Sequence, residues 1–309
     1  MSADAELATL IDAELGRPVA PAVTAFAHEL AARAGGATAA VLFYGSALRD
    51  GALDGVLDFY LLVDRNEDWP GPRLAAWASR LLPPHVGYVE SVVDGRTLRA
   101  KYAVMTLAQF RRAMSPRRID TTLWARFSQP CACVVARDDG ERARVREAVV
   151  TAARWAAWLG PVRGEASAYW RALFQRTYAS ELRVESQGRG ADLLASDPGR
   201  YARLLPLAWR AAGLAFDDDG AGVLAPTASD AERSAAERRW RVRRRLGRPL
   251  NLLRLLKAAS TFANAIDYVA WKVERHSGYR IEPSAFQRRH PLLAAPLLYW
   301  RLRARGVLR

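Results

Sequence analysis

Cysteine, lysine and histidine are scarce in this sequence of 309 residues. The two cysteines, Cys131 and Cys133, are one residue apart, where the side chains of a strand point to opposite faces and cannot easily form a bridge. The pair excludes a disulfide scaffold and favours a reducing compartment, and we interpret both as core or strand residues. The four histidines have no metal-ligand spacing, and no Ser-His-Asp or Cys-His arrangement of nucleophilic enzymes is visible.

Long hydrophobic runs are also missing, so the sequence predicts no membrane-spanning helix. The N-terminal residues include Asp4, Glu6, Asp12 and Glu14 without a basic apolar leader, which predicts neither a secretory signal nor a transit peptide. Hydrophobic residues make up 50% and charged residues 25% of the chain, a balance typical of globular proteins that excludes disorder throughout. We therefore expect a cytoplasmic protein of two domains and a tail.

The positive charge lies near the C-terminus. Residues 231–309 hold 19 Lys and Arg against 5 Asp and Glu. Their net charge of +14 equals that of the whole chain. A neutral body with a basic tail indicates contact with an anionic surface, either lipid or nucleic acid. Lys101 is the only lysine before position 257, which marks it for attention.

Short apolar runs predict strands, and helical spacing of apolar residues predicts helices. The predicted strands are 40–44, 59–63, 86–93, 98–105 and 131–135, with two helices within 5–34 and one after Pro72. This pattern predicts a mixed α/β class. We divide the chain into a first domain, a mostly helical second domain, a flexible linker and a basic amphipathic segment, at 1–112, 113–215, 216–230 and 231–309.

One group of residues indicates a chemical function. Gly45 and Ser46 follow a buried strand, and Asp58 opens the next strand after eleven intervening residues. A Gly-Ser turn lets backbone N–H groups approach phosphates closely, while a carboxylate on the next strand can hold Mg²⁺. This spacing is the core pattern of the nucleotidyltransferase fold, although a plain turn between two strands gives the same pattern.

The common form of this pattern has a second carboxylate two residues later, on the same face of the strand. Tyr60 occupies that position here. Asp64 has the right parity but lies about 20 Å along the strand. Glu90 and Asp94 on the neighbouring strand are candidates for a further carboxylate ligand, and each is otherwise an ordinary exposed acid.

Several short motifs in order carry a family resemblance: 44–46, 57–59 with 63–64, 95–96, 101–104 and 126–130, and then Tyr178, Glu181, Arg183 and Glu185. Over about residues 40–210 the chain resembles the mitochondrial translocator assembly and maintenance family of phosphatidate cytidylyltransferases, in a bacterial-type form. The last hundred residues match that family poorly.

The resemblance implies a nucleotidyltransferase-fold domain with a small mixed sheet, a winged-helix-like domain and a C-terminal amphipathic segment on the membrane. It also implies CTP and Mg²⁺ at the site, phosphatidate as the acceptor, and CDP-diacylglycerol with pyrophosphate as the products. A phosphatidate phosphate is already anionic at neutral pH, so a site poor in carboxylates is tolerable, whereas cationic residues are needed.

We therefore expect Asp58 to bind the metal and Lys101 to neutralise phosphate charge, with Arg96 assisting. Gly45 and Ser46, beside Tyr44, are expected to bind the triphosphate. Residues assigned to substrate binding on the resemblance are Arg126, Gln129 and Arg183. From the residues alone, both of these arginines are better explained as solvated or salt-bridged surface groups.

The basic segment combines arginines with an apolar face. Seven arginines lie within 238–248, followed at approximately helical spacing by Leu250, Leu252, Leu253, Leu255, Leu256, Ala259, Phe262 and Ile266. This composition is typical of an interfacial membrane segment, here on the inner face of the cell membrane. Two alternatives are a leucine-rich helix that packs on the body and an arginine-rich nucleic-acid contact, and the absence of an RNA-binding motif disfavours the second.

The main hypothesis is a peripheral-membrane phosphatidate cytidylyltransferase. Two alternatives stay open: a nucleotidyltransferase for another lipid or a small-molecule acceptor, and a degenerate, non-catalytic adaptor with the same fold. Tyr60 is the residue that supports the adaptor.

Overall fold

A computed structural model of the chain describes residues 2–93, 95–118, 120–180, 189–261, 265–289, 300 and 303. The strands are β1 Thr38–Tyr44, β2 Val56–Val63, β3 His85–Val93, β4 Arg96–Thr106, β5 Cys131–Ala136, β6 Gly164–Glu165, β7 Phe216–Asp218 and β8 Val223–Pro226. The helices are α1 Ala3–Leu15, α2 Pro21–Ala32, α3 Ser46–Asp50, α4 Arg73–Leu81, α5 Leu107–Ala113, α6 Thr122–Phe127, α7 Gly140–Leu159, α8 Ala166–Ser180, α9 Arg189–Ser196, α10 Pro198–Ala211, α11 Asp230–Thr261, α12 Ala265–Ser277 and α13 Ala285–Arg289.

The first five strands form one mixed sheet in the order β3-β4-β2-β1-β5. β2 and β4 are parallel, and the other neighbouring pairs are antiparallel. The predicted α/β class, with a small mixed sheet followed by a mostly helical part, is confirmed. All five predicted strands are present, and the two cysteines lie in β5 as unbridged thiols.

Two predicted boundaries need correction. β5 lies in the predicted second domain but pairs with β1, so the sheet extends beyond residue 112. The predicted linker 216–230 contains β7 and β8, which form a small antiparallel sheet with β6. This stretch is ordered by long-range contacts: Leu224 is buried, its carbonyl accepts a hydrogen bond of 2.7 Å from the Tyr169 hydroxyl, and Phe216 packs on Trp209.

The five-stranded sheet has a hydrophobic core on each face, because side chains alternate along its strands. On one face, Phe43 and Phe59 contact each other at a centroid distance of 5.1 Å, and Phe26 of α2 covers them. On the other face, Tyr60 and its neighbours pack against α1, α5, α6, α7, α8 and α10, and this core continues to Trp240 of α11. The predicted first and second domains therefore share one core.

Arg200 of α10 links α10 to α1 and to the connection between α6 and β5. Its guanidinium is almost fully buried and makes two hydrogen bonds to the Glu14 carboxylate of α1, at 2.6 and 3.0 Å. It also donates a 3.0 Å hydrogen bond to the Ser128 carbonyl, between α6 and β5. Burial by itself would lower the pKa of Arg200, but the bonds to Glu14 outweigh it and raise the pKa.

α11 packs along the body through a stripe that includes cationic side chains. Arg243 is buried, donates hydrogen bonds to the Pro116 and Arg118 carbonyls, and lies 3.8 Å above the Trp155 ring. One face of α11 is thus part of the fold, which agrees in part with the alternative that this helix packs on the body.

Lys257 of α11, like Arg243, binds backbone carbonyl groups of the body. Lys257 donates a 2.7 Å hydrogen bond to the Leu82 carbonyl at the C-terminal end of α4, where backbone acceptors lack helical partners. Burial, chiefly, lowers the pKa of Arg243 to about 10 and that of Lys257 to about 8. Arg243 and Lys257 therefore stabilise the packing of α11 on the body.

We expect Arg200→Met to lower the free energy of unfolding by about 3 kcal/mol, because it leaves the Glu14 carboxylate and the Ser128 carbonyl without their partner. Arg203→Met is the matched control on the same helix, since Arg203 is exposed and should change stability by less than about 0.5 kcal/mol. Urea denaturation measures both. Equal stability of the two variants would contradict the joining role of Arg200.

Candidate functional site

The turn after β1 is shaped around Gly45. Gly45 has φ +96° and ψ −164°, a conformation that L side chains rarely adopt. A Cβ at Gly45 would lie 2.7 Å from Oδ2 of Asp58, which is too close for an ordinary contact. The Asp58 carboxylate therefore lies directly against the turn. The predicted association of Gly45, Ser46 and Asp58 is present in the structure, with Ser46 as the first residue of α3.

A row of register partners crosses the sheet at Asp58. Its Cα is paired with that of Tyr44 on β1 and that of Lys101 on β4, and Lys101 is paired with Tyr88 on β3. Paired residues share a face of a sheet, and neighbouring strands are about 4.8 Å apart. Asp58 thus has an aromatic residue on one side and a lysine on the other. Lys101 is exposed and Asp58 half-buried, so this face is open to a ligand.

Tyr60 occupies the position of the second carboxylate and faces a cation. It lies two residues after Asp58 on the same face and is fully buried. The Arg126 guanidinium lies 5.4 Å from the Tyr44 ring centroid and 5.9 Å from that of Tyr60. Burial raises the pKa of Tyr60 against the opposing effect of Arg126, so its phenol stays protonated at neutral pH. The structure thus brings Arg126 to the site.

Two residues that the sequence did not single out as site residues complete this side. Arg254 of α11 forms an ion pair with Asp120, and the Asp120 carboxylate accepts a 3.0 Å hydrogen bond from the Thr122 N–H. Burial by itself would raise the pKa of Asp120, but Arg254 and Thr122 outweigh it and lower the pKa. Arg254 lowers the pKa of Tyr60 and Asp120 raises it. No sequence signal separates Arg254 from the other arginines of its segment, and Asp120 resembles an ordinary residue before a helix.

Of the other predicted site residues, some lie near the Gly45 turn and others do not. Gln129 lies just before β5, at the strand-end edge that contains Gly45, and its Nε2 donates a 3.1 Å hydrogen bond to the Ala125 carbonyl. Arg96 is five residues before Lys101, which is about 16 Å along β4, and forms a 2.6 Å ion pair with Asp54. The structure therefore separates Arg96 from Asp58, because the first residues of β4 pair only with β3 and extend beyond the start of β2. Arg183 lies outside the described residues.

Glu90, the described candidate for a further carboxylate, does not lie beside Asp58, and neither does Asp64. Glu90 on β3 is two strands from β2, about 10 Å across the sheet, and accepts hydrogen bonds from Tyr88 and Arg99 at 2.6 and 3.2 Å. Asp64, at the far end of β2, forms an ion pair with Arg137 at 2.7 Å. Asp94 lies outside the described residues.

The donor set fits a metal ion that takes most of its ligands from substrate. In the part of the chain that the structure describes, no group of three or more His, Cys, Asp or Glu side chains is arranged to hold a metal. Mg²⁺ in phosphate chemistry commonly needs only one or two carboxylates, because substrate phosphates and waters supply the other ligands. Asp58, pressed against a turn suited to phosphate, meets that requirement.

Comparisons with known proteins give no family for this chain. No protein-family model matches it, and a search of curated proteins finds no match.

The Gly45 contact predicts a specific effect of adding one methyl group. Gly45→Ala should displace the Asp58 carboxylate and abolish the rise in unfolding temperature that Mg²⁺ and CTP are expected to produce. Gly51→Ala is the matched control: it also has positive φ, at +72°, but a Cβ there meets nothing within 4 Å. We expect each variant to lose about 1–2 kcal/mol of stability from backbone strain. A normal CTP response in Gly45→Ala would contradict the role of this contact.

Proposed function

We propose that this protein is a Mg²⁺-dependent nucleotidyltransferase that transfers CMP from CTP to the phosphate of phosphatidate at a membrane surface. The observation that carries the proposal is the Asp58 carboxylate held against the Gly45 turn, with Lys101 on the adjacent strand. The sequence resemblance supplies the base and the acceptor. The cation-rich, carboxylate-poor character of the site supports an acceptor that is itself an anion.

The chain's own residues have separate tasks in this reaction. Backbone N–H groups at Gly45 and Ser46, with the Ser46 hydroxyl, bind triphosphate oxygens. Asp58 holds Mg²⁺, which when bound neutralises phosphate charge. Lys101 and Arg126 offset the repulsion between the incoming lipid phosphate and the nucleotide, and they stabilise the negative charge on the transferring group.

The chemical step needs no general base. A phosphate oxygen of phosphatidate forms a bond to the α-phosphorus of CTP, the bond from that phosphorus to the oxygen bridging to the β-phosphate breaks, and pyrophosphate leaves with the electron pair. The attacking oxygen carries no proton to be removed at neutral pH. Tyr60 in place of a second carboxylate is compatible with this acceptor, because a further negative charge would oppose its approach.

The outward face of α11 supports contact with lipid. Leu252, Leu253, Leu255 and Leu256 are 52–59% exposed, although Arg254 between them reaches inward to Asp120. An apolar surface therefore lies within one helical turn of a residue beside the site. In the described chain no helix is long and apolar enough to span a membrane. Phe262, which the sequence predicts on the apolar face of this segment, lies outside the described residues.

Two further features extend this surface. The exposed arginines of α11 lie mainly before the leucines and suit anionic headgroups: Arg238, Arg239, Arg241, Arg244, Arg245 and Arg248. On α4, Leu74, Trp77 and Leu81 are exposed at helical spacing, and Leu81 precedes the Leu82 carbonyl that Lys257 binds. The apolar stripe of α4 thus ends beside α11.

Purified protein with CTP, Mg²⁺ and vesicles containing phosphatidate should form CDP-diacylglycerol, and Asp58→Asn should lower kcat/KM at least about a hundredfold, because it removes the charge that holds the metal. Asp64→Asn is the matched control, with the same change at the far end of β2 away from the site, and should stay active. Transfer to glycerol 3-phosphate but not to phosphatidate would indicate the soluble-acceptor alternative. Absence of any nucleotide binding would indicate the adaptor.

Leu253→Ser with Leu256→Ser should weaken binding to phosphatidate-containing vesicles by at least about tenfold, because each buried leucine side chain contributes up to about 2 kcal/mol. Val92→Ser with Val162→Ser is the matched control, since both valines are exposed outside α11 and α4. Vesicle flotation measures both variants. Unchanged binding of the leucine variant would show that α11 is not the lipid contact.

A further inference from the structure

α12 packs on the same sheet face as the candidate site, although the sequence predicts it as part of a membrane segment. The Tyr268 ring contacts the ring of the buried Tyr88 at a centroid distance of 5.3 Å and stacks on Trp271 at 6.4 Å. Ile266 and Ala270 of α12 are buried. These contacts make α12 a fixed part of the fold.

Cationic side chains hold α12 beside β4 and the start of β2. Arg275 donates a 2.8 Å hydrogen bond to the Asp54 carbonyl, just before β2. The guanidinium groups of Arg99 on β4 and of Arg275 lie 5.7 and 5.3 Å from the Trp271 ring centroid. Trp271 is therefore bound to both the sheet and its own helix, which positions Tyr268 one turn earlier on α12.

The position of Tyr268 relative to Asp58 follows from the register. Tyr88 is paired with Lys101, and Lys101 with Asp58, so the residue on which Tyr268 rests is part of the row that crosses the site. The Tyr268 ring therefore lies on the sheet face that carries Asp58 and Lys101, on the Lys101 side of that row. A tyrosine hydroxyl is protonated at neutral pH and can act as a hydrogen-bond donor.

We infer that Tyr268 is a substrate-binding residue whose hydroxyl donates a hydrogen bond to a phosphate oxygen of the nucleotide bound over Asp58 and Lys101. α12 then forms the wall of the site opposite Tyr44 and Arg126. The identity of the ligand as a nucleoside triphosphate rests on the proposed function. Phosphate is the expected contact because Tyr268 packs on the register neighbour of Lys101, and Lys101 and Asp58 are the residues assigned to phosphate charge and to the metal.

This role separates α12 from α11 in function. The exposed leucines of α11 contact lipid under the proposed function, whereas α12 contributes to nucleotide affinity when no lipid is present. A change at Tyr268 should therefore be measurable without vesicles. The same change should leave vesicle binding intact, because Tyr268 is half-buried against Tyr88.

The test compares Tyr268→Phe with Tyr279→Phe. Both remove one hydroxyl from the same C-terminal segment, but Tyr279 packs against Ile266, whereas Tyr268 packs against Tyr88. With Mg²⁺ and CTP in the absence of lipid, titration calorimetry should show about tenfold weaker CTP binding for Tyr268→Phe and no change for Tyr279→Phe. The unfolding temperature without ligand should match that of the unmodified protein, because the ring is retained.

Steady-state kinetics with phosphatidate vesicles adds a readout that a purely structural role would not move. Loss of a ground-state hydrogen bond should raise KM for CTP while kcat and vesicle binding stay unchanged. CTP affinity equal to that of the unmodified protein, together with lost binding in Asp58→Asn, would overturn the role of Tyr268 and leave the proposed function intact. Tighter binding in Tyr268→Phe would also overturn it. If the unmodified protein binds no nucleoside triphosphate, the proposed function fails and this inference fails with it.

Discussion

The missing side chain at Gly45 is the constraint on which the candidate site depends. Because nothing projects from Gly45, the Asp58 carboxylate can lie against the turn, and the pairing of Tyr44 with Asp58 keeps both at the same edge. β2 then aligns with β4 so that Lys101 is the lateral neighbour of Asp58. The backbone conformation of Gly45 thus allows the Asp58 carboxylate to lie at the turn, beside Lys101. The remaining site residues are added by elements from distant parts of the chain.

Local patterns in the sequence predict the centre of this site well. Alternating and continuous apolar runs identify all five strands of the main sheet, and the Gly45-Ser46 turn with Asp58 needs only two adjacent strands to form. Long-range pairing is not contained in such patterns. β5 joins the sheet from the far side of α6, and β7 and β8 are ordered by contacts with Tyr169 and Trp209. The first residues of β4 extend beyond the start of β2, which places Arg96 away from Asp58. These outcomes depend on tertiary contacts that no segment specifies alone.

Charge counting locates the positive charge in the C-terminal part but does not show which of its cations face the body. The inward-facing cations Arg243, Arg254 and Lys257 bind carbonyl groups or Asp120 on the body, whereas leucines between Arg243 and Lys257 face outward. Buried guanidinium groups are retained where planar donors can satisfy several acceptors, as Arg243 does with two carbonyls and a tryptophan ring. Over residues 252–257 the helix is therefore amphipathic in the reverse sense, with its leucines available to an external surface and its cations used for packing on the body.

The electrostatics of the site favour an anionic acceptor over a hydroxyl. A hydroxyl acceptor needs a carboxylate that can take its proton, and beside Asp58 the described residues offer Tyr60, which remains protonated, and Asp120, which is engaged by Arg254. A phosphate acceptor instead needs its charge opposed as it approaches the nucleotide. Lys101 on the sheet and Arg126 over Tyr44 oppose that charge from two sides, while the protonated phenol of Tyr268 adds a donor without adding charge. Under the proposed function, tyrosine in place of the second carboxylate therefore favours an anionic acceptor and is compatible with catalysis.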